Sequence, residues 1–97
     1  MHYLFEWDAV KAAENLRKHG VSFEEARTVY ADPFATESFD RHHSIDEDRF
    51  MIIGMSARGR LLVVAFTPRD YRTIRIISAR QALRNEQRQY EEQIRDR

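Results

Sequence analysis

The sequence predicts a mixed α+β fold with a short N-terminal strand, two helices, an antiparallel β-meander and a C-terminal helix. Three observations support this prediction. Apolar residues recur at helical spacing in two stretches near the start and in one near the end. Between residues 49 and 79, three runs rich in β-forming residues follow one another. With 97 residues, the chain is expected to form a single domain, 1–97, around one modest core.

The first two elements are a strand and a helix. Tyr3–Trp7 alternates bulky residues and is typical of a short strand. Asp8 is a favourable N-cap for a helix over 9–19, and Gly20 suits the position after a helix C-terminus. One face of this helix is predicted to pack inward, and it carries Val10, Ala13 and Leu16.

A second helix is predicted directly afterwards. Ser22-Phe23-Glu24-Glu25 has the spacing of a capping box, in which Ser22 and Glu25 satisfy each other's backbone donors. The helix is expected to stop at Asp32-Pro33, because proline disfavours the helical conformation of the preceding residue. Its apolar stripe comprises Phe23, Ala26, Val29 and Tyr30.

The middle of the chain gives a weaker pattern before the meander. Phe34–Phe39 is interpreted as an edge strand, and Asp40–Asp48 is polar enough for a mobile loop. The run Leu61–Phe66 lacks polar residues on either face, so its strand is expected in the middle of the sheet. The three meander strands are predicted at Arg49–Ser56, Leu61–Thr67 and Thr73–Ala79.

The last helix is predicted over residues 82–95. It is expected to dock on the rest of the domain through one stripe. The stripe consists of Leu83, Gln87, Tyr90 and Ile94.

Composition excludes several classes of function. Without cysteine the chain has neither a disulfide framework nor a thiolate metal site, which fits a reducing cytoplasm. No secretory signal or membrane-spanning run is apparent, so we expect a soluble, cytoplasmic protein with no membrane association. Three glycines cannot form a phosphate-cradling loop or a dinucleotide fingerprint, and we expect no cofactor.

Net charge is zero, but the two halves differ. Residues 1–50 carry six Lys/Arg and eleven Asp/Glu, whereas residues 51–97 carry ten Arg and five Asp/Glu. Arginine offers a flat fork of donors that matches phosphate oxygens, so the second half could face a polyanion. A solvated surface of salt bridges explains the same composition equally well.

Two groups of residues could supply chemistry at phosphate. Lys18 and His19 end the first helix, where the helix dipole alone would favour cations, yet an imidazole beside an ammonium also suits RNA cleavage. Arg75 lies in the middle of a strand between apolar neighbours, and Arg80 follows the end of the same strand. They could clamp a phosphate or form ion pairs with an acid such as Glu6, Asp8 or Glu86.

A metal site is the weaker interpretation of one loop. Its side chains could ligate a divalent ion, but adjacent histidines rarely point to one centre and no fixed ligand spacing is present. A solvated polar loop is favoured, so no metal is expected. The residues concerned are His42, His43, Asp46, Glu47 and Asp48.

Several segments together resemble a known family. They are Phe5-Glu6-Trp7-Asp8, Asn15, Lys18-His19-Gly20-Val21, Phe23-Glu24-Glu25-Ala26, Asp32-Pro33, Glu47-Asp48-Arg49-Phe50, Ile53-Gly54, Arg75-Ile76-Ile77-Ser78-Ala79-Arg80, Glu86 and Tyr90-Glu91. In this order they are similar to the BrnT toxins. The resemblance implies a RelE-like fold and a ribonuclease that slows translation and growth. It also implies a BrnA-like ribbon-helix-helix antitoxin that covers the active surface and alone contacts operator DNA.

Residue roles are assigned from the chemistry of metal-free RNA cleavage, because proteins that share this fold vary their catalytic residues. His19 is the candidate acid or base, and Glu47 is the alternative base. Trp7 and Tyr30 could stack on a base or belong to the core, and Ser78 could orient substrate or simply pack. The candidate phosphate contacts are Lys18, Arg49, Arg75 and Arg80.

Two other functions remain open at this point. One is a catalytically inactive module that only binds the antitoxin and takes part in promoter autoregulation. The other is a regulator that binds nucleic acid directly, which a basic face without an acid or base would favour. If the protein is a ribonuclease, Lys18, His19 and at least two arginines should share one solvent-accessible concavity.

Overall fold

The computed structural model describes residues 2–43 and 47–96. Five strands form one sheet: β1 Leu4–Glu6, β2 Thr36–Phe39, β3 Phe50–Met55, β4 Leu61–Pro68 and β5 Thr73–Gln81. Three α-helices accompany it: α1 Ala9–His19, α2 Phe23–Arg27 and α3 Arg84–Arg95. Short 3-10 segments occupy Thr28–Ala31 and Arg41–His43.

The strand order in the sheet is β1-β5-β4-β3-β2. The meander β3-β4-β5 is antiparallel, β2 is an edge strand and β4 is central, so all three predictions are confirmed. β1 pairs parallel with β5, with Phe5 opposite Ile74. The first and last strands of the chain are therefore neighbours.

The core lies between one face of the sheet and the segment that contains α2. Successive side chains of a strand point to opposite faces of the sheet, so alternate strand residues pack their apolar side chains against α2 and the following 3-10 turn. Gly54 allows a close approach here, since a Cβ added to it would stand 2.7 Å from Val29 Cγ1. The core residues include Val21, Phe23, Ala26, Val29, Ile52, Leu62, Val64, Phe66, Ile74, Ile76 and Ala79.

The observed ends of α1 and the observed start of α2 agree with those predicted from the sequence. Asp8 accepts a hydrogen bond from Lys11 N at 2.9 Å, and Gly20 adopts a left-handed conformation with φ 69°. Ser22 accepts from Glu25 N at 3.0 Å. The reciprocal half of the predicted capping box is wrong, because the Glu25 carboxylate bonds Ser56 and Arg60 instead.

The predicted inward face of α1 is also wrong. Val10 is 65% exposed and Leu16 51% exposed, and Ala13 is exposed as well. Asn15 is the buried residue of this helix, with Ala12 partly buried against the core. The reason is that α1 packs on β5, where polar backbone groups rather than apolar side chains need a partner.

The remaining helices differ in extent from the prediction. α2 ends at Arg27, and the chain continues as a 3-10 turn to Ala31. α3 begins at Arg84, since β5 extends to Gln81. Of its predicted docking stripe, Tyr90 is buried, whereas Leu83, Gln87 and Ile94 are exposed.

α3 lies over the second face of the sheet. It borders concavities together with Ile53, Met55 and Leu61, which alternate with core residues along β3 and β4. Tyr90 Oη donates to Asp32 Oδ2 at 2.5 Å, which ties the helix to the segment before β2. In the described part of the chain, no helix has the length and apolar character needed to cross a membrane.

Candidate functional site

The last turn of α1 gathers positive charge. Arg17, Lys18 and His19 all lie there, and all three are exposed. Cations are stabilised at this end of a helix by the free carbonyl groups and the helix dipole. Gly20 then ends the helix, so these side chains stand at its rim.

An open concavity of about 480 Å³ lies between α1 and β5. It brings together four of the predicted site residues, Lys18, His19, Arg49 and Ser78. Arg17 also lines it, so Lys18, His19 and two arginines share one concavity, as expected for a ribonuclease. The full lining is Lys11, Glu14, Asn15, Arg17, Lys18, His19, Arg49, Ile77 and Ser78.

The lining is strongly cationic for its size. Four Lys/Arg side chains face one acidic side chain, Glu14, and His19 adds a titratable group. A comparable concavity beside α3 has no Lys, Arg or His among its described lining residues. The concavity between α1 and β5 is thus the better place for a phosphate group.

A β-bulge shapes the β5 side of this site. Ser78 pairs with Ala65 and Ile76 with Phe66, so Ile77 is an extra residue in β5. Across a bulge the alternation of faces shifts by one residue. As a result Arg75, Ser78 and Arg80 share the second face of the sheet, although Arg75 and Ser78 are three residues apart.

Arg75 and Arg80 do not line the concavity, and both form ion pairs. Arg75 Nη1 lies 2.9 Å from Oε2 of Glu6, its cross-strand neighbour on β1. Arg80 donates two hydrogen bonds to the Glu86 carboxylate, at 2.8 and 2.9 Å. The bond from Arg80 is also the main cause that lowers the pKa of Glu86.

The other predicted residues lie elsewhere. Trp7 packs edge-to-face against Phe23 with ring centroids 5.9 Å apart, and Tyr30 contacts Phe5 and Phe66 in the same manner. Both rings thus contribute to packing around the core. Glu47 is exposed, and its Oε2 lies 3.5 Å from Arg69 Nη1.

Four of the ten arginines of the second half pair with acids of the first half. Arg58 and Arg60 meet Glu25, Arg69 meets Glu6 and Glu47, and Arg75 meets Glu6. The cations of the concavity come from the acidic half instead, namely Lys11, Arg17, Lys18 and Arg49. Ion pairs between the two halves therefore offset part of the charge asymmetry of the sequence.

Sequence reasoning did not single out Lys11 and Arg17, and it gave Asn15 no role. A signal was present in the spacing, because Lys11, Asn15 and Lys18 follow one another at i, i+4 and i+7. This polar stripe, rather than the apolar one, faces the site.

The residues that could ligate a metal ion follow β2 and precede β3 in the sequence. Within residues 2–43 and 47–96, no three His, Cys, Asp or Glu side chains stand close enough together to hold a metal ion. Of the predicted set, Asp46 and the side chain of His43 lie outside the described part of the chain.

A comparison with protein families matches residues 7–86 to the ribonuclease toxin BrnT of type II toxin-antitoxin systems. The matched segment covers most of the 97 residues and includes the whole candidate site. This chain belongs to the BrnT family. The predicted family is therefore confirmed, and membership in a type II toxin family implies an antitoxin as partner.

A solved structure agrees with the fold of this BrnT family member. The ribonuclease toxin BrnT of Brucella abortus matches with a TM-score of 0.60 and 23% sequence identity. The match covers 87% of this chain and 100% of the Brucella chain. A search of curated proteins gave no match. At this identity the structural likeness supports the α+β architecture, and the family match supports the activity class.

Proposed function

We propose that this protein is a metal-independent RNA endonuclease whose site is the cationic concavity between α1 and β5. One observation carries the proposal: Lys18, His19 and Arg49 line the same open concavity. We also propose that the fold is of the RelE type and forms the one domain of the chain. A BrnA-like ribbon-helix-helix antitoxin would neutralise the toxin and bind operator DNA, while the free toxin would slow translation and growth.

The proposed reaction uses the RNA itself as nucleophile. The 2′-oxygen attacks phosphorus, its proton goes to a base, and the bond to the 5′-oxygen breaks as that oxygen gains a proton. The products are a 2′,3′-cyclic phosphate and a 5′-hydroxyl end. The reaction balances without an oxidant or a metal-bound water, so side chains alone can catalyse it.

His19 is the proposed proton-transfer group, because an imidazole can give or accept a proton near neutral pH. Lys18 and Arg49 are the proposed contacts to the phosphate, where extra negative charge develops in the transition state. Ser78, which lines the β5 side of the concavity, is the proposed contact that orients the substrate. These roles rest on the shared lining and on the chemistry of each group.

Arg75 and Arg80 have a secondary part in the proposal. Both lie on the same sheet face as Ser78, but their guanidinium groups already bond Glu6 and Glu86. Their proposed part is structural: these ion pairs join β5 to β1 and to α3 beside the site. Glu47 and Trp7 lie outside the concavity, and the proposed mechanism does not use them.

The decisive experiment measures RNA cleavage in the presence of EDTA. Wild type is compared with His19→Ala and with His2→Ala, which removes another exposed histidine outside the site. Wild type and His2→Ala should cleave equally, and His19→Ala should be slower by about a hundredfold or more. Circular dichroism checks that all three proteins fold.

A second substrate tests the proposed chemistry. An oligonucleotide with 2′-deoxyribose at the cleaved position should resist the wild-type protein, because the nucleophile is missing. Cleavage of that substrate, or cleavage that EDTA abolishes and Mg²⁺ restores, would contradict the proposal. Absence of cleavage under every condition, including added ribosomes, would favour a module that only binds its antitoxin.

A further inference from the structure

Asn15 is a buried polar residue on a helix whose other side chains are mostly exposed. The residue is 7% exposed, and its side chain makes three hydrogen bonds. Nδ2 donates to the Ala79 carbonyl at 2.8 Å and to the Val21 carbonyl at 3.0 Å. Oδ1 accepts from Ala79 N at 3.1 Å. Both donors and the acceptor of the amide are thus used.

The bonds to Ala79 replace those of a missing strand. β1 pairs with β5 only from Thr73 to Arg75, so farther along β5 that edge has no strand partner. A buried backbone N–H or C=O without a partner is costly. The Asn15 amide provides one acceptor and one donor to Ala79, as a neighbouring strand would.

The same amide connects the two walls of the concavity. Asn15 lies three and four residues before Lys18 and His19, which places it one helical turn below them. Ala79 directly follows Ser78 on the opposite wall. The bond to Val21 fixes the chain just beyond Gly20, so the last turn of α1 is held at both ends.

We propose that Asn15 is a positioning residue for cleavage, on the basis of the proposed ribonuclease function. It transfers no proton. Its amide sets the distance between the last turn of α1, with Lys18 and His19, and the β5 wall with Ser78. A displacement of about 1 Å between groups that must act together costs about a hundredfold in rate.

The test compares Asn15→Ala with Val29→Ala in RNA cleavage. Val29 is fully buried and contributes to the core, but it does not line the concavity. The two substitutions therefore both disturb buried packing, and only one removes the link between the walls. Assays are run at a temperature where circular dichroism shows both variants folded.

Asn15→Ala should lower kcat by about ten- to a hundredfold with KM within about twofold of wild type, while Val29→Ala keeps wild-type kcat. Amide hydrogen exchange at Ala79 should become faster in Asn15→Ala only. If Asn15→Ala does not fold, Asn15→Gln is used, since it keeps both donors and the acceptor of the amide but is one methylene longer and so changes the distance between the walls.

The outcomes separate this inference from the proposed function. If wild type does not cleave RNA, the proposed function is wrong and the inference is wrong with it. If wild type cleaves and the folded Asn15 variant matches Val29→Ala in kcat, only the inference is wrong. A raised KM with unchanged kcat would likewise overturn it, because that result would indicate substrate binding rather than positioning.

Discussion

Glu25 is the buried acid that fixes α2 to the turn between β3 and β4. Its side chain is 3% exposed, and it accepts hydrogen bonds from Ser56 Oγ at 2.7 Å and Arg60 Nε at 3.0 Å. The bond from Arg60 is the main cause that lowers the pKa of Glu25 below its usual range, and this outweighs burial. The residue is therefore a buried anion with satisfied oxygens.

Replacing Glu25 by alanine should destabilise the protein by about 2 kcal/mol, because the buried Ser56 hydroxyl would lose its acceptor and Arg60 its ion pair. The matched control is Glu24→Ala, one residue away and exposed, which should change stability by less than about 0.5 kcal/mol. Urea unfolding at pH 7 measures both. Equal midpoints for the two variants would show that this ion pair contributes nothing to stability.

The predictability of individual residues depends on how local their partners are. Asp8, Gly20 and Ser22 were identified correctly, since each bonds the backbone within four residues. Asn15 had no recognisable role, because its partner Ala79 is 64 residues away. Its bonds depend on where β1 ends along β5, which local sequence does not indicate.

At the scale of elements, α3 is held by few contacts. Tyr90 is its buried residue, and the Tyr90 hydroxyl donates to Asp32, whose carboxylate also accepts from Met55 N at 2.7 Å. Burial, assisted by the Asp32 carboxylate, raises the pKa of Tyr90 to about 12. The hydroxyl therefore stays protonated and keeps donating throughout the neutral range.

Tyr90→Phe should lower the free energy of unfolding by about 2 kcal/mol, because it removes a hydrogen bond to a charged acceptor. Amide exchange in α3 should increase more than exchange in β4. Tyr71→Phe is the control, since Tyr71 is 91% exposed. If α3 amides exchange as slowly in Tyr90→Phe as in wild type, the hydroxyl does not hold the helix.

Element types were easier to predict than element orientations. The apolar runs of the meander gave the right strands, because alternation and β-branched residues are local signals. The face of α1 was predicted wrongly from Val10, Ala13 and Leu16, since that rule assumes a helix packed on the face of a sheet. Likewise, the bulge at Ile77 follows from pairing with β4 and has no signature in the strand's own residues.

At the scale of the whole molecule, acid should weaken the fold. The pKa values of Glu25 and Glu86 are lowered chiefly by hydrogen bonds from Arg60 and Arg80. For Asp32, burial raises the pKa, but hydrogen bonds from Met55 N, Tyr90 and Phe34 N together outweigh burial and lower it. All three carboxylates bind protons less readily in the folded than in the unfolded chain.

These groups contribute stability that is fully present above the unfolded carboxyl pKa, about 4 to 4.5, and is lost as pH falls through the lower folded values. Urea midpoints measured from pH 7 to about pH 2.5 should thus stay level and then decline. Glu25→Gln should decline less steeply than wild type, because a carboxamide does not titrate. Identical slopes would contradict the role of Glu25.

The parallel pairing of β1 with β5 has a consequence for synthesis. Phe5 meets Ile74, and Asn15 meets Ala79, so both contacts close very long loops of chain. Contacts this distant in sequence form late and slowly. A nascent chain on the ribosome therefore has no assembled concavity until β5 has emerged. Truncated products lacking β5 lack one wall of the concavity. If the proposed site is correct, a cell is exposed to the complete toxin only after most of it has been translated.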